Sequence, residues 1–96
     1  MRPSLALKIH QKVVLDILGA SCAINPRVFG SVARGEDSEN SDLDLLIDTK
    51  PKTTLFDLIG LQLKLEEVLR VKVDIVTEGG LARRIKQNVI DDAVAL

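Results

Sequence analysis

Apolar and polar positions follow three rhythms along the 96-residue chain. Near the N-terminus Ile9, Val13 and Ile17 recur every fourth position, and Val14 and Leu18 widen the stripe. That spacing predicts one helix over residues 4–20, with Ser4 as its cap and Gly19 as its stop. His10 falls off the stripe between Lys8 and Lys12 and reads as a solvated helix-face residue. Asn25-Pro26 marks a turn or the start of an edge strand. Arg27 to Ser31 then makes a short strand that stops at Gly30. Residues 35–41 are polar and read as loop, whereas Leu43 to Thr49, "LDLLIDT", reads as a β segment.

Thr53 or Thr54 caps a second helix whose Leu58, Leu61, Leu65 and Val68 keep helical spacing. From Val71 to Thr77 the period changes to two. Val71, Val73 and Ile75 face one side; Lys72, Asp74 and Val76 face the other. Glu78-Gly79-Gly80 breaks the chain, and residues 81–94 form a last helix with Leu81, Ile85, Val89 and Ala93 on one face. The order α-β-β-α-β-α predicts an α/β (α+β) fold, a small mixed β-sheet with flanking helices. No repeat or linker divides the chain, so residues 1–96 read as a single domain.

Composition narrows the function. A chain this short buries roughly two-thirds of its unfolded surface, enough for one core but not for enclosing a large substrate. Thirteen basic residues balance 14 acidic ones, with no long basic run, no Trp or Tyr, and only Phe29 and Phe56 as aromatics. Base-stacking platforms are therefore scarce, and direct nucleic-acid binding is not expected. Cys22 is alone, which excludes an internal disulfide, fits a reducing cytoplasmic setting and reads as a small packing residue. No apolar run approaches the length of a membrane span, and the N-terminus lacks the apolar core of a signal peptide.

The polar chemistry concentrates in "GSVARGEDSENSDLDLLID", Gly30 to Asp48. Strands disfavour Asp, yet Asp44 lies inside an apolar strand and Asp42 just before it. Residues two apart on a strand share a face at about 6.5–7 Å. Two carboxylates at that distance repel by roughly 2–3 kcal/mol at an effective dielectric of 20. That cost favours a bound cation, and magnesium prefers such hard oxygen ligands together with phosphates. If the strand carrying Asp74 lies beside this one, three acids can hold two metal ions. Asp48 lies about 13 Å along the strand from Asp44 and reads as a strand-end acid.

Gly30-Ser31 supplies the other half of a phosphate site. Glycine allows close backbone approach. Ser31 can cap a short helix over Ser31 to Arg34, whose free amides favour an anion. Arg34 either touches phosphate or pairs with a loop acid. Ser41 fixes the loop before Asp42. Taken singly, a Gly-Ser turn or an Asp-x-Asp pair is ordinary; joined at this spacing to Asp74, they point to metal-assisted phosphate chemistry.

Gly30-Ser31, Arg34-Gly35, Ser41-Asp42, Asp44 and the later Asp74 together resemble the minimal nucleotidyltransferase (MNT) branch of the DNA polymerase beta superfamily, over nearly the whole chain. The resemblance implies a polymerase-beta-like core. Asp42, Asp44 and Asp74 would be catalytic acids and ligands of two Mg2+ ions, with Mn2+ as a substitute. Gly30 and Ser31 would hold the triphosphate of ATP, the substrate. Chains this short resemble antitoxins paired with HEPN-domain toxins, which implies a hetero-oligomer and transfer of AMP from ATP to a tyrosine of the toxin ribonuclease. The C-terminal "IDDAVAL" lacks the aromatic finish common in that family. Two other readings stand beside this one. A small-molecule nucleotidyltransferase, for example one acting on an aminoglycoside, would need an acceptor domain for which the chain has no room. A non-catalytic antitoxin would block its toxin sterically.

Overall fold

The computed structural model describes residues 1–81 and 83–96, with residues 83–85 described by their backbone alone. Its sheet has four strands in the order β3-β2-β1-β4. These are β1 (Ala23–Phe29), β2 (Leu43–Thr49), β3 (Val73–Thr77) and β4 (Val94–Ala95). Strand β1 runs antiparallel to both β2 and β4, whereas β2 and β3 are parallel. The helices are α1 (Pro3–Ile9), α2 (Gln11–Gly19), α3 (Gly30–Ala33), α4 (Leu55–Leu69) and α5 (Arg83–Asp92), with a 3-10 turn at Glu78–Gly80. The mixed sheet with flanking helices agrees with the fold class read from the sequence.

The core lies on one face of the sheet. Leu43, Leu45 and Ile47 alternate along β2 and pack with Val28 and Val73 against Ala6, Val14, Leu18, Leu61, Leu65 and Leu69. The period-two pattern thus meets the helical period of α1, α2 and α4, which join by burying their apolar sides on the sheet. Helix α4 is set by a capping box. Thr54, not Thr53, accepts the Asp57 amide at 3.2 Å, and the Asp57 carboxylate accepts the Thr54 amide at 2.9 Å. Two backbone donors that a helix start leaves free are thereby satisfied.

Several boundaries differ from the sequence reading. The helix expected over residues 4–20 is two helices, broken at His10, whose ψ of 20° departs from α-helical geometry. The break rotates the stripe: Val14 and Leu18 are buried, whereas Ile9 and Val13 are exposed. Ser4 is not the cap. Arg2 holds that position, Pro3 opens α1, and the Ser4 amide donates to Asp37 Oδ2 at 2.9 Å. Strand β1 begins at Ala23 rather than Arg27, with a register shift between Ile24 and Arg27 and Asn25 at φ 50°. The last helix ends at Asp92, and Val94–Ala95 adds an edge strand that period counting had absorbed into it. Leu81 precedes that helix and Ala93 follows it. Of the face expected there, the Ile85 side chain lies outside the described residues.

Candidate active site

The face of the sheet opposite the core carries the acids. Asp44 alternates with the buried Leu43 and Leu45, so it points away from the helices α1, α2 and α4. In the parallel pairing of β2 with β3, Asp44 is the register partner of Asp74. Neighbouring strands lie about 4.8 Å apart, so these carboxylates share a face and a row. Asp42, two residues before Asp44, leads into β2 at the same end. The adjacency on which the third acid depended is therefore present.

Phe29, the last residue of β1, is the register partner of Asp44 across the other side of β2. The chain then turns through Gly30 at φ +72° and enters α3. A Cβ on Gly30 would collide with Asp44 Oδ2 and lie 3.3 Å from Asp44 Cγ. Gly30 is thus required twice, by a backbone conformation L-residues avoid and by the approach of the Asp44 carboxylate. The Gly30–Ala33 turn and the acid row are in direct contact.

The electrostatics are those of an under-neutralised cluster. Burial raises the Asp44 carboxyl above its ordinary range, the charges of Asp74 and Asp42 push it further, and Arg34 only partly opposes them. Burial and the two neighbouring carboxylates each disfavour the ionised form of Asp44. Among the described residues, no three carboxylate, imidazole or thiol side chains lie together closely enough to hold a metal ion as they stand. The donor chemistry nevertheless fits Mg2+: all three groups are hard carboxylate oxygens, and the excess negative charge is what a divalent cation would neutralise.

The remaining expected residues divide. Ser31 lies within the first turn of α3, but Phe29 occupies the cap position and no side-chain cap bond forms. The expected Ser31 cap is therefore corrected: the turn starts one residue earlier because Gly30 already supplies the required backbone. Ser31 remains beside Gly30, at the head of the turn that touches Asp44. Arg34 takes the second of its two readings and pairs with acids. Its Nε lies 3.0 Å from Glu36 and its NH1 2.8 Å from Asp92 on α5. Glu36 and then Asp92 raise its pKa. Ser41 holds the loop, its Oγ accepting the Ser38 amide at 2.8 Å.

Other groups had no signal in the sequence. Asp37 is the one buried charged residue among those described. Burial works to raise its pKa, but the Ser4 amide and hydroxyl and the charge of Arg2 hold it below the ordinary range. It ties the loop before the acids to the start of α1. Arg27 reaches Asp48 at 3.3 Å and Glu78 at 3.5 Å, so Asp48 is a structural strand-end acid as expected. A cavity of about 790 Å³ is lined by none of these residues. It opens at the other end of β2, lined by Lys50, Lys52, Phe56 and Lys64. Geometry rather than cavity size locates the acid site.

Residues 7–96 match the family described as nucleotidyltransferase domain. The chain belongs to that family. It is 39% identical over 67 residues to the "Putative protein adenylyltransferase MJ0435" of Methanocaldococcus jannaschii, covering 70% of this chain and 72% of the relative. It is equally 39% identical over 67 residues to the protein adenylyltransferase MntA of Thermococcus cleftensis, covering 70% of this chain and 68% of that protein. Among solved structures, one described as a "putative minimal nucleotidyltransferase" superposes with a TM-score of 0.86 at 45% identity, covering 97% of this chain and 95% of the other. A toxin–antitoxin chain solved with AMP-PNP shares the fold alone, with a TM-score of 0.75 at 21% identity. A nucleotidyltransferase domain thus accounts for nearly the whole described sheet and its helices. No helix among the described residues is long and apolar enough to cross a membrane.

Proposed function

We propose that the chain is a protein adenylyltransferase antitoxin. It moves AMP from ATP to a tyrosine hydroxyl of a HEPN-type ribonuclease toxin in the cytoplasm and releases pyrophosphate. The observation that carries the reading is the register of Asp44 with Asp74 beside the Gly30 turn. The names of the relatives from Methanocaldococcus jannaschii and Thermococcus cleftensis support protein as the acceptor class.

Asp42, Asp44 and Asp74 would hold magnesium, which when bound supplies charge neutralisation for a triphosphate and acidifies an acceptor hydroxyl. Gly30 keeps the turn against Asp44, and its amide and Ser31 receive phosphate oxygens. Asp74, exposed on the neighbouring strand, stands on the acceptor side, and Asp44, half-buried between Gly30 and Asp74, orients both halves. Asp74 is exposed on the edge strand β3, which leaves the acceptor to be supplied by a partner. Phosphoryl-type transfer asks for this kind of positioning and charge compensation rather than a covalent protein intermediate.

The test is intact-mass measurement of a co-expressed toxin partner. Wild type should add AMP mass. Asp44→Asn should add none and should also weaken ATP binding. Asp74→Asn should keep ATP and partner binding while losing most transfer. Neutralisation of the toxin by Asp44→Asn without any added mass would favour steric blocking instead.

A further inference from the structure

Two helices and a turn surround the cavity at the far end of β2. Helix α2 gives Asp16 and Ile17 to one wall, helix α4 gives Phe56, Gly60 and Lys64 to the other, and the turn before α4 brings in Lys50 and Lys52. Asp44 stands near the start of β2 and Lys50 follows its last residue, so roughly 20 Å of strand separates this cavity from the acids. Its volume of about 790 Å³ falls within the range of small-molecule sites, about 300–1,000 Å³. Packing within the chain does not explain its lining. Lys50, Lys52 and Lys64 are exposed, and none forms an ion pair with a described acid. Lys52 holds φ 67°, a left-handed conformation that favours glycine, so an ammonium is kept where the backbone disfavours any side chain. Phe56 is 84% exposed, which leaves an aromatic face open. Gly60 stands inside α4, where glycine weakens a helix relative to alanine, yet a Cβ there would meet nothing within 4 Å. No described neighbour needs that space; an occupant of the cavity would.

We propose that this cavity is a second ligand site, for a phosphate monoester carried on a flat ring. The ring stacks on Phe56 and uses the room at Gly60, with Ile17 and Leu61 as its apolar floor. The lysines meet the phosphate through charge-assisted hydrogen bonds. A bare anion has no use for Phe56, and a neutral ring has none for three lysines, so the lining calls for both halves in one ligand. Of the two acids in the lining, Asp57 is engaged in the α4 capping box. Asp16 remains as an acceptor for a hydroxyl or amine of the ligand, which favours a nucleoside monophosphate over a simple aryl phosphate. The cavity shares no residue with the acid row, so the inference is independent of the reaction proposed above.

Amide NMR shifts of the full chain, followed through titrations in excess chelator, test it. AMP should move the amides of Lys52, Phe56, Gly60 and Lys64 saturably and leave those of Gly30 and Asp44 in place. Adenosine and inorganic phosphate each forfeit one set of contacts and should bind at least about tenfold more weakly. Phenyl phosphate separates the two sources: affinity equal to that of AMP assigns the site to simple aryl phosphates, and weaker affinity assigns it to nucleotides. Gly60→Leu should abolish the response by filling the place of the ring. Its melting temperature should hold or rise, since Leu is a better helix former than Gly. Lys52→Gly should also keep the fold, because glycine accepts that backbone, and should weaken AMP binding several-fold. Absence of saturation by about 10 mM AMP overturns the proposal, and so do shifts confined to the Gly30 and Asp44 end, which would report the acid site instead. Adenosine or inorganic phosphate binding as tightly as AMP, or Gly60→Leu responding like wild type, would equally overturn it.

Discussion

Gly30 shows how one residue can tie fold to chemistry. Its φ of +72° alone makes an L-residue costly there, by roughly 1–2 kcal/mol. The Asp44 carboxylate occupies the space a side chain would take. Gly30→Ala should therefore lower the melting temperature and, by displacing Asp44, cut AMP transfer at least about tenfold. Calorimetry and a transfer assay on the same sample check this; unchanged transfer would detach the turn from the site. The sequence showed that a glycine belonged at this position, because a Gly-Ser turn after an apolar strand calls for close backbone approach. It did not show that the approaching group is Asp44, since that contact exists only once β1 and β2 are paired. Ser31 was misread as a cap for the related reason that Gly30 already provides the helix entry.

At the scale of elements, strong periodicities were legible and junctions were not. The β segment at Leu43–Thr49 and the Leu repeat of α4 fall where the sequence placed them, and the period-two run expected from Val71 gives β3, which begins at Val73. The break at His10 is invisible to apolar spacing, because both halves keep helical periodicity and only the phase changes. Strand β4 was missed because two residues hold no measurable period. The loop-to-helix link through Asp37 was also unreadable, since Ser4 and Asp37 are distant in sequence. That link gives a pH prediction. Asp37 has its pKa lowered in the folded protein, so below the unfolded carboxylate value, about 3.9, the unfolded chain binds more protons. The stability it contributes is present above that value and is lost as pH falls toward the folded pKa. Asp37→Ala should cost about 1–2 kcal/mol at pH 7. The gap to wild type should narrow as pH falls from 7 to below the unfolded carboxylate value, about 3.9. Urea unfolding at both ends of that window checks it, and a gap unchanged by acid would remove the carboxylate from the account.

For the whole molecule, near-neutral charge conceals a local excess. The formal net charge is -1, yet Asp42, Asp44 and Asp74 gather at one end of the β2–β3 pair, with Arg34 alone among the described residues opposing them at Asp44. Without a divalent cation this end should repel a triphosphate. ATP binding by calorimetry should weaken at least about tenfold in excess chelator. Metal-free Asp44→Asn should melt at or slightly above the wild-type temperature, because the change relieves the same repulsion. Equal ATP affinity with and without chelator would refute the metal-dependent site. The parallel pairing of β2 and β3 carries a further consequence, for the order in which the molecule assembles. Parallel neighbours need a long crossover, here the whole of α4, before their first ladder bond can form. Antiparallel β1 and β2 close a shorter loop and meet at a smaller entropic cost. Folding can thus bring Gly30 to Asp44 early, but Asp74 arrives only when the chain has closed the longer β2–β3 loop. A nascent or partly melted chain therefore carries two of its three acids in place and the third adrift, so catalytic competence waits on the pairing of β3 with β2.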